Sequence, residues 1–174
     1  MNKLRILVTL KCVHHDQNKM FITFEGIDGS GKSTQASLLA DRLKSIGKSV
    51  VFLREPGGTA VSEKIRDILL DKQHLELGNI AEILLFSAAR AQLVDDVIRP
   101  ALQAGNVVVC DRFFDSTTAY QGYGRGLNLA DVQSINRIAT SGTVPDLTLL
   151  VEVELKEIQR RRKTFGGQET GFDG

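Results

Sequence analysis

From Met20 onward the apolar positions fall into two alternating periods. Phe21 to Phe24, Val50 to Leu53 within the stretch 49–54, Val107 to Cys110 and Leu147 to Val153 are short runs with almost no charge. Runs of this kind are buried on both faces of a parallel sheet. Between them the period lengthens to that of helices. Residues 32–46 set Leu38, Leu39, Leu43 and Ile46 on one predicted face, and Gly47 stops the helix. Val61, Ile65, Ile68 and Leu69 mark a second amphipathic helix. Residues 80–103 read as one long helix with Leu84, Leu93, Val97, Ala101 and Leu102 inward and a bend near Pro100. Further helices are expected over 129–141 and over the very basic stretch 156–163. Strand and helix in alternation predict a three-layer α/β domain, with a parallel sheet covered by helices on both faces.

The two ends depart from this pattern. Residues 1–19 have weak periodicity and finish in the polar run His14 to Lys19, so they are expected as an extension outside the fold, with 20–174 as one domain. His14 and His15 lack further ligands at metal-binding spacing and read as solvated residues. Residues 166–174 are glycine-rich and polar, with no closing element. The expectation is a C-terminal truncation that removes the last strand and helices of the sheet.

Composition narrows the classes. A net charge of +1 excludes an extended basic surface for nucleic acid or for membrane headgroups, so cationic chemistry must be local. Two cysteines, Cys12 and Cys110, are too few and too far apart for a disulfide framework or a zinc knuckle. Cys110, inside an apolar run, reads as a small buried hydrophobe. No apolar run approaches the ~20 residues of a membrane span. Lys11 interrupts the apolar stretch 6–13, and His14-His15-Asp16 stand where a signal peptide needs small residues. A cytoplasmic protein is expected.

The first chemistry-bearing motif is Gly26-Ile27-Asp28-Gly29-Ser30-Gly31-Lys32-Ser33, followed by Thr34. It matches the phosphate-binding P-loop, and it lies between a predicted strand and a predicted helix, the context that gives the pattern meaning. The glycines let backbone amides wrap phosphates, Lys32 meets the β- and γ-phosphates, and the Ser33 hydroxyl ligates Mg²⁺. A nucleoside triphosphate is therefore the expected ligand. No Asn-Lys-x-Asp follows a later strand, so guanine recognition has no support. Asp111 closes a predicted strand, where a carboxylate can hold Mg²⁺, and Arg112 beside it suits a phosphate. Arg54-Glu55 ends another strand on the same ligand side. Phe86 and Arg90 are four apart on one helix and can stack on and hydrogen-bond a flat base, although Phe86 taken alone reads more readily as core.

Taken in order, Phe24 to Thr34, Arg54 to Thr59, Leu85 to Arg90, Asp111-Arg112-Phe113 with Ser116 to Gly122, and Pro145 to Thr148 give the chain a resemblance to bacterial thymidylate kinases of the P-loop nucleoside monophosphate kinase family. The resemblance runs from Met20 to about Arg162. It implies transfer of the γ-phosphoryl group of ATP to dTMP with Mg²⁺, and a homodimer built on the Phe86-bearing helix. It further implies that Asp28 approaches the acceptor's 3′-hydroxyl, and that Arg54, Arg112 and Arg66 grip its phosphate. Phe86 would stack on thymine, with Arg90, Thr117 and Gln121 reading it. Tyr120 would crowd the 2′ position. Lys32, Arg112 and Asp28 are the implied catalytic groups, and Glu55 belongs to the acceptor side. The basic run Arg160 to Lys163 fits either the start of a phosphate-reaching lid or a solvated helix face. A kinase of another nucleoside or nucleotide, or a non-catalytic nucleotide-binding fragment, are the competing readings.

Overall fold

The computed structural model describes residues 5–10, 19–71 and 77–164. The expectations for Cys12, for His14 and His15 and for the tail 166–174 lie outside the described residues. Five strands form one sheet: β1 Arg5–Leu10, β2 Met20–Glu25, β3 Val50–Arg54, β4 Val107–Asp111 and β5 Leu147–Glu152, in the order β1-β5-β2-β4-β3. Strands β2, β3, β4 and β5 run parallel, as the apolar runs require.

The expectation for the N-terminal extension needs correcting over residues 5–10. This segment pairs antiparallel with β5, from Arg5 opposite Glu152 to Leu10 opposite Leu147. Side chains 5–9 are all exposed. The strand is held by its backbone ladder and adds nothing to the core, which is why no burial period marks it in the sequence.

Alternate residues of the central strands feed two cores. Phe21, Val108 and Cys110 point to one face, where Leu93, Val94, Ile98 and Phe113 pack on them. Ile22, Phe24, Val107 and Val109 point to the other, against Ala36 and Ala40. Each fully buried large side chain of this kind stabilises the fold by roughly 1.5–3 kcal/mol.

The helices are α1 Lys32–Ser45, α2 Ala60–Leu70, α3 Asn79–Leu93, α4 Arg99–Gln103, α5 Phe114–Thr117, α6 Leu129–Thr140 and α7 Leu155–Thr164. Their predicted faces hold only in part. In α1 the buried apolar positions are Ala36 and Ala40, while Leu38 and Ile46 are exposed. Small residues there let the helix sit close to the sheet. In α2, Val61 and Ile68 are exposed, and the buried residue is Ser62, whose hydroxyl donates to the Ala89 carbonyl at 2.8 Å. Leu84 of α3 is exposed as well. The long helix does depart from regularity near Pro100, through a π-helical segment Val94–Ile98 in which the Arg99 amide donates to the Val94 carbonyl. Proline has no amide to give and its ring crowds the carbonyl four residues back, so the turn before it widens.

Candidate active site

The C-terminal ends of β2, β3 and β4 lie side by side, with Phe24 opposite Asp111 and Arg54 opposite Asp111 on its other side. Ligands bind at this edge in open parallel sheets. A cavity of about 430 Å³ opens there. Its wall carries Asp28, Lys32 and Ser33 from the P-loop side, and Arg54, Glu55 and Arg66 from β3 and α2. Phe86 and Arg90 come from α3, and Asp111, Arg112, Thr117, Tyr120 and Gln121 from β4 and the helical segment after it. The backbone of Gly26, Ile27, Gly29, Ser30 and Gly31 forms the loop between β2 and α1, and Thr34 is exposed on the first turn of that helix.

Two glycines are sterically required in the loop. A Cβ on Gly26 would lie 2.6 Å from the Val151 carbonyl oxygen, and Gly31 caps α1 at φ 96°, a left-handed conformation. The helix N-terminus thus faces the cavity, where its dipole favours anions. Lys32 is buried and its Nζ lies 3.0 Å from Asp28 Oδ1, and Arg112 reaches the same oxygen at 2.6 Å. Burial pushes the Asp28 carboxyl up, but Arg112 and Lys32 outweigh it and hold the group below its ordinary range. Asp28 therefore stays ionised and keeps both cations aimed at one point.

Arg112 has φ 73°, a conformation few non-glycine residues adopt. Its amide donates to the Phe24 carbonyl at 2.9 Å, its Nη1 donates to Ser116 Oγ at 3.0 Å, and its guanidinium stands 5.4 Å over the Tyr120 ring. Arg54 donates to the Pro56 carbonyl and pairs with Glu63, while Arg66 donates to the same carbonyl at 2.9 Å. Three guanidinium groups therefore converge on one wall. Desolvation, then the Arg54 charge, lower the pKa of Arg66 against the opposing pull of Glu63 and Asp67.

Arg90 is buried and anchored from four directions. Its Nε donates to Glu55 Oε2 at 2.8 Å, Nη1 to Thr117 Oγ1 at 3.0 Å and to Asn136 Oδ1 at 3.4 Å, and Nη2 to the Phe113 carbonyl at 3.2 Å. A guanidinium has five N–H donors, so one on Nη2 is left over beyond these contacts. Burial pushes the Glu55 carboxyl up despite Arg90, and Glu55 Oε1 has no partner among the described residues. Phe86, half-buried, lines the cavity one turn from Arg90. Gln121 donates its amide nitrogen to Glu82 at 2.6 Å, which turns its carbonyl oxygen the other way.

Asp111 fits the metal role anticipated for it. Its Oδ1 is buried with no hydrogen-bond partner among the described residues, and the exposed Ser33 hydroxyl lines the same cavity. Oxygen donors of this type, completed by phosphate oxygens, suit Mg²⁺. Of the basic run, Arg160 pairs with Glu157, whereas Arg161 also donates to the carbonyls of Gly29 and Ser30 at 3.0 and 3.1 Å. Lys163 is exposed, and the Arg162 side chain lies outside the described residues.

Glu25 is a functional-looking residue that pattern reading passed over. It is buried at the end of β2, accepts from the Phe113 amide at 2.8 Å and from the Ser116 hydroxyl at 2.6 Å. Desolvation raises its pKa from 4.5 to about 7. Its only trace in the sequence is a carboxylate closing an otherwise apolar central strand. Because the folded-state value is raised, protonation favours folding. The stability gained is complete below pH 4.5 and is lost as pH rises through about 7. Glu25→Gln cannot ionise, so wild type should lose about 3 kcal/mol relative to this variant between those pH values. Denaturant titrations at pH 4.5 and pH 8 check this, and parallel profiles for the two proteins would count against it.

Comparison with known proteins bears on the same residues. A family model described as thymidylate kinase matches residues 24–172. A thymidylate kinase of Roseiflexus sp. (strain RS-1) is 51% identical over 155 residues, which span 89% of this chain and 69% of that protein. One of Pelobacter propionicus is 52% identical over 151 residues, spanning 84% and 69%. Among solved structures, the thymidylate kinase of Ehrlichia chaffeensis superposes with a TM-score of 0.74 at 43% identity, covering 85% of each chain. With the family model spanning the P-loop, the Arg112 turn and everything from α3 to β5, the chain belongs to the thymidylate kinase family.

Proposed function

We propose that the protein transfers the γ-phosphoryl group of ATP to the phosphate of dTMP, giving dTDP for dTTP biosynthesis. The observation that carries this is one cavity joining a P-loop to an aromatic and a buried, forked donor across three converging arginines. The loop amides, the α1 N-terminus and Lys32 hold the donor phosphates. Arg54, Arg66 and Arg112 take the acceptor phosphate. Phe86 stacks on the base, and Arg90 keeps its remaining donor for a base carbonyl. Thr117 and Gln121 line the base end and Tyr120 the sugar. Asp28 stays ionised, so it accepts a hydrogen bond from the sugar 3′-hydroxyl.

No covalent intermediate is required. The side chains position two phosphates and neutralise charge around a loose transition state, which is most of the catalysis in this class. Asp111 and Ser33 would hold Mg²⁺. When bound, that ion neutralises the charge that builds between the β- and γ-phosphates. Arg161, already against the loop carbonyls, would serve as a lid group for the donor phosphates.

The dimer belongs to this proposal too. Ile80 and Leu84, four apart on α3, are 60% and 52% exposed, an apolar strip suited to a second copy of the chain. Among the described residues no helix is long and apolar enough to cross a membrane. The reading is of a cytoplasmic enzyme whose partners are ATP and dTMP, and a net charge of +1 offers no extended basic surface for nucleic acid or membrane headgroups. ADP release with ATP and Mg²⁺ is the direct test, run across dTMP, thymidine, dCMP and dUMP. The expected result is turnover with dTMP far above the others. Preference for thymidine would move the protein to nucleoside kinases, and nucleotide binding without turnover would leave a binding fragment.

A further inference from the structure

The proposed reaction uses Arg112 but leaves open what holds an arginine at φ 73° with its fork aimed into the cavity. A strained backbone persists only where its surroundings over-determine it. Besides the Arg112 amide on the Phe24 carbonyl and the Arg90 contact to the Phe113 carbonyl, one buried side chain ties this turn down at two points. Glu25 Oε1 accepts from the amide of Phe113, the residue directly after the strained position, and Oε2 accepts from Ser116 Oγ. Ser116 Oγ in turn accepts from Arg112 Nη1 at 3.0 Å, and Arg112 Nη2 reaches Asp28. Phe113 is itself packed edge-on against Phe21 at 4.9 Å, so the turn cannot slide along the core.

We infer that Glu25 is a positioning residue for Arg112, acting through the Phe113 amide and the Ser116 hydroxyl to set the acceptor-phosphate grip. This rests on the reaction proposed above. Glu25 is 5% exposed and is not among the residues that line the cavity described above, so it acts from behind that wall. With its carboxyl ionised, the Ser116 hydroxyl donates to Glu25 and its lone pair is turned to Arg112. Protonation reverses that hydrogen bond. Ser116 Oγ must then accept from both Glu25 and Arg112 while its own proton loses its carboxylate acceptor, so the hydroxyl has to turn and its hold on Arg112 changes.

Other charges bear on this titration. Arg112 faces Glu25 from the end of β4 and Asp115 from α5, one favouring ionisation and the other opposing it. Cys110 of β4 is buried, and its thiol is pushed well up, so it stays protonated throughout. With Glu25 titrating near 7, the grip on the acceptor phosphate weakens as pH falls below that value.

The test compares wild type, Glu25→Gln and Ser116→Ala by ADP release, with kcat and separate KM values for dTMP and ATP from pH ~5.5 to ~8.5. Ser116 is only half-buried, so its alanine variant keeps the fold even if Glu25→Gln does not. At pH 8 each variant should raise the dTMP KM ~10-fold, the size of one charge-assisted hydrogen bond, with the ATP KM within about twofold. Wild-type kcat/KM for dTMP should decline below pH 7. The dTMP phosphate itself titrates near ~6, so part of that decline belongs to substrate and persists in Glu25→Gln. The part near 7 should vanish in the variant.

Variants that match wild type in dTMP KM overturn the inference. So does a Glu25→Gln profile that superposes on wild type, or KM values for dTMP and ATP rising together, as general loosening would produce. If wild type fails to phosphorylate dTMP at all, the reaction falls and this inference falls with it. Unchanged variants of an active wild type overturn the inference alone.

Discussion

Lys32→Ala should lower kcat for dTMP phosphorylation by at least ~10²-fold, the scale on which a single preorganised charge acts on a transition state. Lys32 is buried beside the P-loop backbone with its Nζ committed to Asp28 at 3.0 Å. That pairing aims it along the loop rather than leaving it to solvent. As charge moves from the γ-phosphate to the leaving oxygen, a fixed cation stabilises the product side more than the reactant side, so the loss appears in kcat. The fold should survive, because Asp28 keeps Arg112 at 2.6 Å as its partner. Steady-state ADP release together with a thermal melt separates the two effects. Turnover within tenfold of wild type, on a variant that melts normally, would remove Lys32 from the phosphate site.

The P-loop was legible because it is contiguous. Eight residues carry the glycines, the cation and the hydroxyl, and the flanking apolar runs say that a strand precedes and a helix follows. Phe86 and Arg90 were legible for a similar reason, since helical spacing alone puts them on one face. Their surroundings were not. The four anchors of Arg90 come from positions 23 to 46 residues away, and the Glu25–Phe113 contact spans 88. No local period encodes which carboxylate meets which arginine once strands cross over.

The misplaced helix faces have a different origin. A period says that one side of a helix is apolar, but how far that side is covered depends on the neighbours. Leu38, two residues from both Ala36 and Ala40, falls on the side of α1 opposite the face that touches the sheet, and Ile46 caps the helix C-terminus; both are exposed. Strand β1 illustrates the converse. It pairs along its whole length with β5, yet its described side chains are all exposed, so pairing left no hydrophobic record.

The largest stability effect should come from Arg90→Met. The Arg90–Glu55 pair is 3% and 4% exposed, and breaking one side of such a pair typically costs ~3–5 kcal/mol, because the other charge stays buried. Thr117, Asn136 and the Phe113 carbonyl also lose a donor. Against a total of ~5–15 kcal/mol this is severe, and it corresponds to a fall in Tm on the order of 10 °C. Glu55 already titrates above its ordinary 4.5 with Arg90 present, and without it burial acts unopposed. The variant should therefore fold with Glu55 protonated. Its deficit should be smallest below pH 4.5, where the unfolded chain is protonated too, and should grow as pH rises above that value. Adding Glu55→Gln to Arg90→Met removes the group that must be neutralised, so the double variant should recover stability at pH 8 and little at pH 4. Guanidinium titrations at the two pH values measure both effects. A single variant within 1 kcal/mol of wild type, or a double variant no better at pH 8, would mean that the pair sits in a wetter place than its burial shows.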